Sequence, residues 1–256
     1  MIAIIIMPTL PKSSPLTQTS RRRFLRTVGL FFGVIGASLA TLLPVIAKWV
    51  PSRLRPPGAI EEKEFLASCI KCGQCVQVCP VQAIRLADID DAMGVGVPYI
   101  DARAQACDFS CDAVQCILAC PTGSLSHTIA KKEEVRMGIA RVAKPEACLA
   151  RQGKGFKGQA RGSDFQGLLR YTEIDRWHPI LIRDHPYDLA LCDLCVRHCP
   201  IENAIYLQPI DNKGKNKAPV IHEACVGCGV CEMICPVEPS VISIDERKRR
   251  RRERQS

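Results

Sequence analysis

The chain begins with a long apolar stretch and then changes character. Thr27 to Ala47 contains no charged side chain, whereas beyond Pro51 the apolar positions come in short bursts separated by turn-forming residues. Four of those bursts, Ala83-Ile84-Arg85-Leu86, Gly123-Ser124-Leu125, Ala204-Ile205-Tyr206-Leu207 and Val241-Ile242-Ser243-Ile244, alternate in the way that predicts a brief strand with one inward face. Val97-Pro98-Tyr99-Ile100-Asp101 and Ala218-Pro219-Val220-Ile221-His222 match each other and predict two more. Glu61 to Ala67 predicts a short helix. Pro51 to Gly58, with three prolines and a glycine, predicts a linker.

Each of the four bursts follows a Cys-Pro pair, and the cysteines ahead of it are regularly spaced. Cys69, Cys72, Cys75 and Cys79 before Pro80 have the spacing of the bacterial ferredoxin run that ligates a [4Fe–4S] cluster. Cys225, Cys228, Cys231 and Cys235 before Pro236 repeat it. Cys107, Cys111, Cys116 and Cys120 before Pro121 are a widened version whose loop must bulge outward. Cys192, Cys195 and Cys199 before Pro200 are one thiol short. Three thiolates on one tight loop cap three corners of a cube and the fourth corner needs a ligand from elsewhere, so the last Cys of each run is expected to cross to a neighbouring cluster. Proline then ends the helical turn by withholding a backbone donor.

Counting completes the assignment. Of 16 cysteines, 15 lie in the four runs, and Cys148, 44 residues before Cys192, is the only candidate for the missing corner. The expected sets are Cys69, Cys72, Cys75 and Cys120; Cys107, Cys111, Cys116 and Cys79; Cys148, Cys192, Cys195 and Cys235; and Cys225, Cys228, Cys231 and Cys199. Interleaved pairing of the first and fourth runs is the alternative. A free Cys148, with a three-iron cluster or a non-Cys ligand at the third site, is another. Zinc sites usually use separated C-x2-C pairs, which leaves surplus thiols here. A disulfide framework fits the even count but not the close packing of cysteines within a run.

Strand, cysteine loop, helical turn and strand make the half-unit of a two-cluster ferredoxin, so the predicted fold is α+β with two tandem two-cluster modules. Expected boundaries are 1–50 for a signal or anchor, 51–59 for a linker, 60–145 and 146–245 for the modules, and 246–256 for a basic tail.

Composition and charge narrow the function. Aromatic residues are only 5% of the 256, so the clusters themselves are expected to fill part of each core. The net charge of +9 belongs to the ends, because residues 1–50 carry six basic and no acidic side chains and residues 246–256 carry seven basic against two acidic. The rest is close to neutral, which argues against a nucleic-acid face. Gly153-Lys154-Gly155-Phe156-Lys157-Gly158 fits G-x-G-x-x-G formally, but no strand is predicted before it and no helix after it, so it reads as a mobile surface loop and not as a nucleotide site. The histidines, His127, His178, His185, His198 and His222, are scattered. His198, beside Cys199, is expected to donate a hydrogen bond. Trp177-His178-Pro179 fits packing or docking equally. With the cysteines taken by clusters, no catalytic constellation remains, and the chain reads as a one-electron relay.

Ser20-Arg21-Arg22-Arg23-Phe24-Leu25-Arg26 ahead of the apolar run has the form of a twin-arginine export signal. The 21 residues 27–47 would also span a bilayer, which needs about 20, so cleaved signal and retained anchor both stand.

Taken together, the twin-arginine segment, the Cys69 run, the widened Cys107 run, the split set of Cys148 with Cys192, Cys195 and Cys199, and the Cys225 run resemble the NapG/MauM family of ferredoxin-type proteins over residues 20–245. The resemblance implies a periplasmic protein with four [4Fe–4S] clusters held by these sixteen cysteines. It also implies a membrane quinol-oxidising partner and a periplasmic redox acceptor such as nitrate reductase, or a role in methylamine utilisation. Other readings are the iron–sulfur subunit of a molybdenum or hydrogenase complex and a zinc-stabilised interaction module.

Overall fold

The structure is a computed structural model that describes residues 17–48, 53–89, 94–111, 114–162, 165, 186–212 and 214–246. Two compact units are present, Met1–Pro51 and Ser52–Ser256. In the first, α1 (Thr17–Lys48) is a helix on which Arg21, Arg22 and Arg23 are exposed together with Phe24, Leu30, Phe31 and Phe32. Among the described residues no helix is long and apolar enough to cross a membrane. Part of the uncharged run 27–47 lies beyond the side chains described.

The second unit is built from very short elements: α2 (Glu62–Ser68), α3 (Gln74–Gln77), β1 (Ile84–Leu86), β2 (Pro98–Ile100), α4 (Gln115–Leu118), β3 (Gly138–Val142), β4 (Phe156–Gly158), β5 (Tyr187–Leu189), α5 (Leu194–Arg197), β6 (Ile205–Pro209), β7 (Lys217–Ile221), α6 (Val230–Met233) and β8 (Ile242–Glu246). The strands form four antiparallel pairs, β1 with β2, β3 with β8, β4 with β5 and β6 with β7. α3 packs on α4 and α5 on α6, so runs adjacent in the chain face each other.

The two halves follow one plan. In each, a hairpin (β1–β2 or β6–β7) lies between the two cysteine runs. A segment ahead of the first run pairs with the segment after the last. In the second half these are β3 and β8, registered from Gly138 against Glu246 to Val142 against Ile242. In the first half the leading segment is the one expected to be a linker. Ala59 bridges Leu125, the Ile60 N–H donates to the Ser124 carbonyl at 3.1 Å, and the Ser126 N–H donates to the Gly58 carbonyl at 2.7 Å. Pro56 and Pro57 are fully buried there. They lack N–H donors, so the pairing stops at a bridge, which is why Gly123-Ser124-Leu125 is not a strand. β3 lies before residue 145, the expected module boundary, and pairs with β8 after the fourth cysteine run.

The glycine-rich stretch from Gly153 to Gly158 also departs from expectation. Phe156–Gly158, expected within a mobile loop, is a strand paired with Tyr187–Leu189, and the Cys192 N–H donates to the Lys154 carbonyl at 3.1 Å. Trp177, His178 and His185 lie outside the described residues, as does the basic tail from Arg247.

Few side chains are large enough to fill these small halves. Phe65 on α2 is fully buried, a burial that contributes roughly 2–3 kcal/mol. The Arg55 guanidinium lies 5.3 Å from its ring and forms a two-pronged ion pair with Glu62 at 3.0 and 2.7 Å. Elsewhere the chain relies on close backbone approach. Gly227 has φ +74°, and a Cβ there would overlap the Gly138 backbone. Gly227→Ala should therefore cost about 3 kcal/mol, combining left-handed strain with overpacking. Gly123→Ala, at φ +68° with nothing within 4 Å, should cost about 1 kcal/mol. Denaturant unfolding of the two variants tests this, and equal losses would show that the Gly138–Gly227 approach is not tight.

Candidate functional site

Each of the first, second and fourth runs folds around left-handed residues. Lys71 and Gly73 have φ +57° and +74°, and Gly227 and Gly229 occupy the matching positions of the fourth run at +74° and +94°. Such alternation turns successive amides inward and makes a concave cradle. In the widened run Phe109 and Val114 take these conformations, at +54° and +46°. A β-branched residue there is a true outlier, with strain of order 1–3 kcal/mol, held in place because Val114 is buried. Asp193 in the short third run sits at φ −130° instead. With its first thiol supplied from far upstream, that loop makes no such turn.

These turns gather the thiols into four sets. Cys69, Cys72, Cys75 and Cys120 line one hollow, together with Phe65 and Leu125. Cys148, Cys192, Cys195 and Cys235 line a second. Cys199, Cys225, Cys228 and Cys231 line a third. Cys79, Cys107, Cys111 and Cys116 form the remaining group: burial raises Cys107 and Cys116 well above the ordinary thiol value, and repulsion from the other thiols of the group raises them further. Cys79, Cys120, Cys199 and Cys235, the last of each run, thus all lie with thiols of the neighbouring run. Among the described residues no three His, Cys, Asp or Glu side chains converge as ligands of a single ion would. The thiols stand around hollows, which suits a cage of metal and sulfide. None of the sixteen is joined to another as a disulfide.

Electrostatics show what these sets lack. Burial, with the neighbouring thiols Cys69 and Cys72 adding to it, pushes Cys75 up to about 12. Burial also raises Cys228 to about 12 and Cys192 to about 11, and drives Cys195 and Cys231 upward. Gathered thiolates need positive charge in the hollow, which iron would supply while the thiols release their protons. The crossing cysteines receive help from the chain itself. Burial raises Cys79, but amides of Ala83, Val81 and Ile84 oppose it, and the Ala83 N–H lies 3.3 Å from Sγ. Burial also acts upward on Cys120, yet the amides of Leu125, Thr122 and Gly123 and the Thr122 hydroxyl outweigh it and hold the thiol below its ordinary value. The turn after each of these Cys-Pro pairs wraps donors around the sulfur. The donor sets therefore fit iron–sulfur clusters.

His198, beside Cys199, hydrogen-bonds through Nε2 to the Tyr187 hydroxyl at 2.9 Å, anchoring β5. His127 Nε2 meets the Cys120 carbonyl at 2.9 Å. Sequence reasoning missed two residues near the thiols. Buried Asp108 adds repulsion to Cys107, Cys111 and Cys79 on one side and to Cys228 on the other. Arg103 clamps the end of α6, donating to the carbonyls of Glu232 at 2.6 Å, Cys235 at 3.0 Å and Val237 at 3.2 Å. The small residues around Arg103, Ala102, Ala104 and Ala106, were the available signal of close packing.

Fold and thiol sets together define an α+β iron–sulfur protein of the ferredoxin type. The 4Fe-4S dicluster domain family matches residues 68–124 and 190–238. The ferredoxin-type protein NapG of Escherichia coli (strain K12) is 35% identical over 236 residues, covering 89% of this chain and 86% of the relative. The methylamine utilization ferredoxin-type protein MauM of Paracoccus denitrificans (strain Pd 1222) is 34% identical over 212 residues, covering 82% and 78%. No solved structure matches. The chain belongs to the NapG/MauM family of ferredoxin-type proteins.

The placement of Cys148 has a direct test. It follows a 3-10 turn (Pro145–Ala147) and lines the hollow shared by Cys192, Cys195 and Cys235. Cys148→Ala should lower iron content by roughly one cluster or convert one to a three-iron form visible by electron paramagnetic resonance. Unchanged iron and an unchanged spectrum would show that the third set takes its fourth ligand elsewhere.

Proposed function

We propose that the four thiol sets each hold one [4Fe–4S] cluster, with the ligand sets as grouped above, and that the chain relays single electrons between a membrane quinol-oxidising protein and a periplasmic redox acceptor. The observation that carries this is that three thiol-lined hollows and a fourth group of mutually repelling thiols lie within one compact unit. When bound, each cluster supplies a one-electron couple. The protein's own part is to hold the thiols, exclude water and set the charge. Amides of Ala83, Leu125 and Ala140 at 3.3–3.5 Å from Cys79, Cys120 and Cys225 stabilise added negative charge on those sulfurs.

The twin-arginine segment, with Arg21 and Arg22 exposed on α1, supports export in the folded state, since loaded clusters would not survive an unfolded-chain translocon. The periplasmic side of the membrane, with cleavage or retention of residues 27–47, follows from that reading. NapG-like service to a reductase such as nitrate reductase and MauM-like service in methylamine utilisation are both consistent with the similarities found. A subunit role in a molybdenum or hydrogenase complex is the second reading.

Two experiments test the proposal. Arg21→Lys with Arg22→Lys should leave the protein in the cytoplasm, and normal export would sink the signal assignment. Affinity purification of the full chain from solubilised membranes should bring down a quinol-oxidising membrane protein. Recovery of a large molybdenum-containing catalytic chain instead would favour the second reading.

A further inference from the structure

The four thiol sets are not equally placed. Cys72 in the first set is exposed and Cys69 half-buried, and in the third Cys148, Cys192 and Cys195 are all half-buried. In the second set Cys79, Cys107 and Cys116 are buried, as are Cys225, Cys228 and Cys231 in the fourth. The outer sets are thus the first and third, and the inner sets the second and fourth.

Neighbour relations give the same order. α3, which carries Cys75 of the first set, packs on α4, which carries Cys116 of the second. The Cys231 thiol of the fourth feels Cys195 of the third, and Cys231 borders the third set's hollow. Between the halves, the Cys107 N–H donates to the Cys228 carbonyl at 3.3 Å, so one hydrogen bond joins the backbones of residues from the two inner sets. Asp108 acts on thiols on both sides of that bond.

The contact is built to be close. A Cβ on Gly229 would stand 2.6 Å from that of Ala102 and 3.3 Å from that of Ala106, and the Ala106 N–H meets Met233 Sδ at 3.2 Å. Arg103 holds the two sides together through its fork of carbonyls and an ion pair with Glu238 at 2.5 Å. Arg161 adds a second clamp, donating to the Arg103 carbonyl at 2.6 Å and to that of Met233 at 3.2 Å.

We infer that the packing of Ala102–Cys107 against Gly227–Val237, positioned by Arg103, couples the two halves electronically, so that the thiol sets run first, second, fourth, third and not in chain order. The inference rests on the reading that each set holds a cluster. A transfer across the junction would make and break no bond: the cluster held by one inner set would lose one electron as the cluster held by the other gained it. The donor is the quinol-oxidising protein and the acceptor the periplasmic redox protein proposed above, meeting the chain at its two outer sets.

The test uses the full chain, loaded with iron and sulfide and reduced with dithionite, and reads magnetic coupling by electron paramagnetic resonance. Cys69→Ser with Cys72→Ser removes the first set. If the inner sets are coupled, the second set keeps the fourth as its neighbour, and no isolated, unbroadened signal appears. If the halves are independent, the second set is left alone and an isolated signal appears, which overturns the inference. Adding Arg103→Ala to that variant should release the isolated signal at unchanged iron content; no release would remove Arg103 from the positioning role. Should the first variant take up no iron, Cys192→Ser with Cys195→Ser asks the same question of the fourth set from the other end. A native chain that binds no iron would instead strike down the cluster reading itself.

Discussion

The last cysteine of every run lies with the thiols of the neighbouring run, and much of this structure depends on that crossing. A run of ten or so residues with a one-turn helix has no core of its own, and α3, α4, α5 and α6 are each four residues long. By placing Cys79 among Cys107, Cys111 and Cys116, and Cys120 beside Cys75, the chain makes each hollow a joint property of two runs. Neither hollow can form without the other. The energetic consequence is cooperative, because thiols buried until they resist ionisation are unfavourable as thiolates unless positive charge lies between them. The ordered turn after each Cys-Pro pair meets part of that cost with backbone amides, most completely at Cys120.

Much of this was legible in the sequence because the constraint is local and chemical. A C-x2-C-x2-C spacing demands a tight loop, and the left-handed conformations at Lys71, Gly73, Gly227 and Gly229 are what such a loop needs. Cys148 was singled out by counting alone, and it lines a hollow with Cys192, Cys195 and Cys235. What the sequence concealed was pairing between distant segments. Pro56-Pro57 reads as a break in structure when seen locally, yet it is the buried lead into a bridge with Leu125, and only comparison with β3 and β8 shows its role. Phe156–Gly158 looked like loop because its neighbours are glycines. Those glycines admit the other strand: a Cβ on Gly155 would overlap the Leu189 carbonyl.

The same reasoning applies to β3, which lies nearest the first half along the chain. A boundary drawn on sequence similarity assigns each segment to the run nearest along the chain, but strands are assigned by hydrogen bonds. β3 follows the last cysteine of the first half and leads into the second, where Met137 and Gly138 donate to the Val226 carbonyl within the fourth run's loop. The link between halves is therefore part of the second half's cradle. It holds no slack of the kind a flexible tether would need.

From that absence of slack follows the way the two halves meet. Ordinary interfaces between small modules are filled by large side chains, and this chain has few to give. Glycine and alanine at 102, 106, 138, 227 and 229 let backbone lie on backbone, which brings the inner thiol sets together at the cost of the apolar area that would otherwise hold such an interface. Something else must supply the binding, and at this junction guanidinium groups supply it. The Arg103 fork satisfies carbonyls at the end of α6 that a helix leaves without partners, so one side chain both caps that helix and ties it to the other half. Because most of these ties go to backbone carbonyls, with the Glu238 carboxylate beside them, the position of the fourth run's loop is fixed directly, and with it the separation of the buried thiols on either side.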